Sequence, residues 1–201
     1  MTSFLILLVL AMIPGFHPGK PARTVDVLIQ AGHEGRPASC ALFPKRPCNL
    51  GAAGERATTP IVADEAARKL RAAGLRVARV PADYLGHYHV RAAIFIHFDG
   101  AQPPCTTGAS IGYPRGSAEA AHAWRAFYAE RFPFRFMPDD FTPSLAEYYG
   151  YRTVDPNPNT LVLEMGEITC PAQRAWLSSR YRELGDWIAQ FVLERLGVNS
   201  R

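Results

Sequence analysis

Four side chains in this sequence have the types and placement for hydrolytic metal chemistry: His33, Glu55, His97 and Glu164. Each histidine closes a hydrophobic run, Val25 to His33 and Ala93 to His97, and Glu164 closes a third, Leu161 to Glu164. Glu55 stands just ahead of the first helical stretch. Runs of this kind read as strands, and in open α/β sheets ligands bind at the carboxyl ends of the strands. Two histidines and a carboxylate meeting there form a three-ligand catalytic zinc set that leaves a position open for water. A second carboxylate beside it can serve as general base. One such histidine alone reads most simply as a packed core residue; two of them with two acids at one sheet edge do not.

The elements that must position these groups alternate. Val25–Gln30 reads as the first strand, and a loop rich in Gly, Pro and Cys runs from Gly32 to Gly54. A helix is expected over Pro60–Ala73, with Thr59 as N-cap, Pro60 at its first position and Gly74 as its stop. Leu75–Val80 alternates as strand two, and Ala93–His97 is strand three. Ser117–Arg131 reads as a second helix capped by Ser117. Phe132–Asn159 has no clear period and reads as surface loop; Leu161–Glu164 is strand four, and Cys170–Gly197 is mainly helix. This order predicts an α/β fold, a single domain with a mostly parallel twisted sheet flanked by helices and the zinc site at the carboxyl ends of the strands.

At 201 residues the chain can bury a full core in one domain. The net charge of +4 is a mild bias that favours anionic surfaces such as cell-wall polymer or lipid headgroups. Its arginines are scattered singly, which argues against a nucleic-acid partner. Phe4–Ile13 is an apolar run too short for a stable membrane span but suited to the core of a secretory signal. Residues 1–22 are therefore expected to be a signal peptide, cut near Pro21-Ala22, and 23–201 the catalytic domain of an exported, periplasmic or extracellular protein. The even cysteine count agrees with export. Cys40 and Cys48 bracket a short segment, and Cys105 and Cys170 follow the strands that carry His97 and Glu164, so Cys40–Cys48 and Cys105–Cys170 are the expected pairs. Four zinc thiolates would need closer C-x₂₋₄-C spacing. His87 and His89, a conceivable second metal pair, read as an exposed loop; His122 and the Asp139-Asp140 pair read as solvated surface, and Trp124, Trp176 and Trp187 as helix core. Nothing in the sequence signals an oligomeric state.

Order and spacing of four motifs resemble the zinc-dependent N-acetylmuramoyl-L-alanine amidases of the amidase-3 type, over roughly Val25 to Leu196. They are Gly32-His33-Glu34-Gly35; Gly51-Ala52-Ala53-Gly54-Glu55, followed by a helix and Ala72-Ala73-Gly74; Ile96-His97; and Val162-Leu163-Glu164-Met165-Gly166-Glu167-Ile168. The resemblance implies Zn²⁺ on His33, Glu55 and His97, with Glu164 as catalytic carboxylate. It also implies cleavage of the amide between N-acetylmuramic acid and L-alanine in peptidoglycan or muropeptides. The chain departs from the family pattern at Gln30-Ala31, at Phe98-Asp99 and in a short Pro81–Arg91 connection, and Glu65 is the alternative ligand if the helix starts late. Tyr113 and Arg115 are available to sugar and stem carboxylates. No insertion between His97 and Glu164 is long enough to plug the site, which is expected to be open without a partner. Two other readings fit the sequence: a zinc amidohydrolase acting on a small N-acyl amino acid or peptide, and a catalytically silent wall-binding module on the same scaffold.

Overall fold

The computed structural model describes residues 22–198; the expected signal segment lies outside the described residues, apart from Ala22. The order is β1 (Arg23–Thr24), β2 (Val27–Ala31), α1 (Glu55–Ala72), β3 (Val77–Val80), β4 (Tyr88–His89) and β5 (Ala92–Asp99). There follow β6 (Ser110–Gly112), α2 (Ala118–Ala129), α3 (Pro143–Ala146), β7 (Thr160–Glu167), α4 (Pro171–Ser178) and α5 (Tyr181–Leu196). The main sheet has five strands in the order β3-β2-β5-β7-β6. Its first four are parallel, and β6 closes the edge antiparallel to β7. β1 and β4 form a separate two-stranded parallel ribbon.

Alternation along the central strands sorts their side chains to two faces, as the period of two requires. Val27, Ile29, Ile94, Ile96, Leu161 and Leu163 point to one face and pack with α1, α2 and α5. Leu28, Ala93, Phe95 and Val162 point to the other. A parallel sheet must be covered on both faces, and residues 81–91 are too few for a crossover helix there. Leu145, Tyr148 and Val154 cover this second face instead. Phe132–Asn159 is thus not the surface loop that its lack of period suggests. It holds α3 and a 3-10 turn at Tyr149–Thr153; Phe132 and Tyr148 are core, and its other aromatic side chains are partly buried against the core. The helices are not divided between the two faces; the long ones share one.

Helix α1 starts at Glu55, five residues before the expected Pro60, which lies inside it. Proline in a helix interior removes a hydrogen bond and crowds the carbonyl four residues back. Tertiary contacts override that local signal. Thr59 is not a cap; its hydroxyl donates to the Gly32 carbonyl at 2.6 Å and ties the first turns of α1 to the end of β2. Ser117 precedes α2 but does not cap it; its hydroxyl donates to the Asn157 carbonyl. The C-terminal helical stretch breaks into α4 and α5 around Ser179-Arg180. Both expected disulfides are present, Cys40–Cys48 and Cys105–Cys170.

Candidate metal centre

Parallel pairing of β5 with β7 puts His97 directly beside Glu164 in register. β2 runs on the other side of β5, and its chain continues into His33. The early start of α1 brings Glu55 against both histidines. The result is a buried group, His33, Glu55 and His97, whose ligand atoms lie within 4.8 Å of one another and could hold a metal ion. Their residues are 7, 2 and 6% exposed. Glu65, the alternative ligand, lies further along α1, where it pairs with Arg68.

Hydrogen-bond accounting shows which ring atoms face inward. The Asn49 carbonyl can only accept, so His33 Nδ1 donates to it at 2.9 Å and Nε2 is left facing Glu55 Oε1 at 3.5 Å. On the other ring, Gln30 Nε2 must face the Ala82 carbonyl, at 3.0 Å, which turns Gln30 Oε1 toward Tyr148. Tyr148 donates its hydroxyl hydrogen to that oxygen at 2.5 Å and therefore accepts from His97 Nε2 at 2.9 Å. The His97 Nδ1 lone pair then points at Glu55 Oε1, 3.0 Å away. Two imidazole lone pairs and a carboxylate oxygen converge with no proton between them. Only a cation or an extra proton reconciles three acceptors at that distance, and such a nitrogen–oxygen donor set suits zinc.

The electrostatics agree. Burial, then the neighbouring His97, hold the His33 pKa below its ordinary value, so the ring is a neutral ligand. Burial raises the Glu55 pKa, but positive charge facing it from the imidazole side and the Phe98 amide hydrogen bond lower it on balance, so the carboxyl is ionised when a cation sits among the three groups. Burial, then the Glu55 and Asp99 carboxylates, raise the Glu164 pKa well above the usual range. Its Oε2 is enclosed with no hydrogen-bond partner among the described residues. A carboxylate so placed binds a proton readily.

The glycines of the motifs are steric necessities here. A Cβ on Gly32 would collide with the His97 imidazole, and one on Gly51 with Glu55 and the His33 ring. Gly51 also has φ +74°. His33 itself adopts φ 58°, a left-handed conformation that costs a non-glycine residue about 1 kcal/mol or more.

Sequence reading missed the groups that hold this centre. Gln30, Tyr148 and Tyr149 fix the His97 ring, and Asp83 fixes the loop beyond His33. Tyr113 and Arg115 line neither cleft that meets the ligand group; Arg36 and Arg46 line one of them. A tyrosine pair in an aperiodic stretch gives no local sign of its partner more than a hundred residues away. His87 and His89 are half-exposed and both hydrogen-bond Asp155 at the surface. His122 is exposed as expected, whereas Asp139 and Asp140 are half-buried, paired with Arg125 and with the Tyr113 amide.

Two variants test this scaffold. Tyr148→Phe keeps the ring packing but removes the acceptor for His97 Nε2; metal affinity falls about 10–100-fold with the fold intact. Competition against a chromophoric chelator measures it, and unchanged affinity would show that Tyr148 does not orient the ligand. Asp83, 5% exposed, accepts from Arg36 Nε and Nη2 at 2.8 and 2.9 Å and from Ser39. Asp83→Asn is expected to destabilise the protein by about 3 kcal/mol at neutral pH. Arg36 holds the Asp83 pKa below 3.8, so this contribution is complete above that value and lost as pH falls through the lower folded value. The gap in Tm between wild type and variant closes on acidification; a pH-independent gap would rule out the ion pair as its source.

No protein-family model and no curated protein sequence matches the chain. Solved structures do. The catalytic domain of CwlV, an N-acetylmuramoyl-L-alanine amidase from Bacillus (Paenibacillus) polymyxa var. colistinus, superimposes with TM-score 0.62 at 16% identity, over 88% of this chain and 99% of that one. The N-acetylmuramoyl-L-alanine amidase AmiC2 of Nostoc punctiforme gives TM-score 0.60 at 17% identity, over 89% and 99%. The N-acetylmuramoyl-L-alanine amidase from Clostridium difficile 630 gives 0.58 at 18%, over 90% and 100%. The chain thus has the α/β fold of these proteins across its described length.

Proposed function

We propose that this chain is a zinc-dependent amidase that hydrolyses the bond between N-acetylmuramic acid and L-alanine in peptidoglycan. The observation that carries the reading is the convergence of His33, Glu55 and His97 beside Glu164, on a fold shared with proteins of that activity. In this reading His33 Nε2, Glu55 and His97 Nδ1 hold zinc, which when bound polarises the amide carbonyl and acidifies water. Glu164 takes the proton of the attacking water and delivers one to the departing L-alanine amine. Burial and the neighbouring Glu55 carboxylate favour the protonated form it passes through. Asn49, Tyr148 and Gln30 hold the two imidazoles in the required tautomers.

Two disulfides support an oxidising compartment, and the apolar N-terminal run supports export as the route there. No helix among the described residues is long and apolar enough to cross a membrane. A cleft of about 330 Å³ reaches the ligand group from the surface, which supports action without an activating partner. The test is zinc content measured together with release of new L-alanine amines from purified wall. One zinc with amine release supports the reading. Zinc without release redirects it to small N-acyl amino acids or peptides, and no zinc ends it.

A further inference from the structure

One cation in the cleft beside the ligand group has no side-chain hydrogen-bond partner among the described residues. Arg46 lies on the loop closed by Cys40–Cys48 and lines the same cleft as His33, His97 and Glu164. Its guanidinium lies over the Phe43 ring, 3.8 Å from the centroid, and over the Tyr149 ring at 4.8 Å. The nearest carboxylate oxygen paired with it, Asp83 Oδ1, is 3.9 Å away, and both Asp83 oxygens are taken by Arg36 and Ser39. Among the described residues the Arg46 side chain donates no hydrogen bond, and it is 37% exposed. Aromatic faces orient a guanidinium and strip part of its water while leaving its N–H edge free. The other acids lining the cleft are Asp99, Glu147 and Glu164. None of these three is paired with Arg46 among the described residues, and Glu147 is exposed.

We propose that Arg46, held between Phe43 and Tyr149, is a receptor for a carboxylate of the bound peptide, making a free carboxylate close to the scissile amide a determinant of specificity. This rests on the amidase reading for the identity of the peptide, a stem whose second residue is an acidic amino acid. A planar guanidinium takes a carboxylate through two parallel N–H···O bonds, which a carboxamide cannot match. The closed loop fixes the cation before the ligand arrives, so little ordering is lost on binding.

The experiment titrates the zinc-loaded protein calorimetrically with L-alanyl-D-glutamate and with the same peptide amidated at both carboxyls. The acid is expected to bind about tenfold or more tightly than the diamide. Arg46→Met, which keeps an apolar stem against the rings, should remove that preference and leave diamide affinity unchanged; Arg46→Lys should restore part of it. Equal binding of the two peptides, or an acid preference that survives in Arg46→Met, overturns the receptor. Wall hydrolysis is scored separately. Arg46-dependent acid binding without hydrolysis of wall keeps the receptor and removes the amidase reading. Hydrolysis with indifferent binding does the reverse.

Discussion

Glu164→Gln lowers amide turnover by about 10²–10⁴-fold while leaving zinc content unchanged. The side chain is held beside His97 by the β5–β7 register but is not one of the three groups that could hold the ion. Glutamine keeps the volume and removes only the ability to take a proton. The enclosed Oε2 has no partner among the described residues, so the amide strands little that the carboxylate had satisfied, and the fold should tolerate the change. Zinc measured by atomic emission and amines released from purified wall separate the roles. Loss of zinc in the variant would make Glu164 a ligand rather than a base. Wild-type turnover would mean that another group carries the proton.

Glu55→Gln has the second large effect, and it falls on the metal. Glu55 Oε1 faces both imidazoles and accepts from the Phe98 amide at 3.1 Å, while Oε2 accepts from the Ala52 amide at 2.9 Å. Whichever way a glutamine amide is turned, its NH₂ meets a buried backbone N–H. That costs about 1–3 kcal/mol. The ligand group also loses its negative charge, so zinc affinity should fall by more than the ~10–100-fold typical of changing an outer partner. Because a ligand stabilises only the state that binds it, the zinc-induced rise in Tm should collapse in the variant. An undiminished rise would exclude Glu55 from the ligand set.

How much of this was legible in the sequence differs by element. The apolar runs leading into His97 and Glu164 are continuous because those strands are buried on both faces, so their type can be read locally, although the strands run past the expected ends, to Asp99 and Glu167. The Cys105–Cys170 pair follows from the same strands, since neighbours in a sheet bring their following loops together. The start of α1 could not be read this way. Thr59-Pro60 is a good local start signal, and it lost to the contacts of Glu55 with His97 and Phe98 and to the Thr59 hydrogen bond to Gly32.

The stretch 132–159 shows the limit more sharply. Its aromatics from Phe141 to Tyr151 follow no period because they cover one sheet face as an irregular layer, anchored by Tyr148 to Gln30 and by Tyr149 to the Ala82 carbonyl, while Phe132, Phe134 and Phe136 pack with the helices on the other face. Sequence by itself determined the fold class, the residues with metal-ligand chemistry and the catalytic carboxylate to test, because each follows from residue type and strand periodicity. Only the tertiary structure decided which ring nitrogens face Glu55, which tyrosine fixes the His97 ring and which arginine looks into the cleft. Those are set by hydrogen bonds and stacking between segments that are distant along the chain, and no local pattern encodes them.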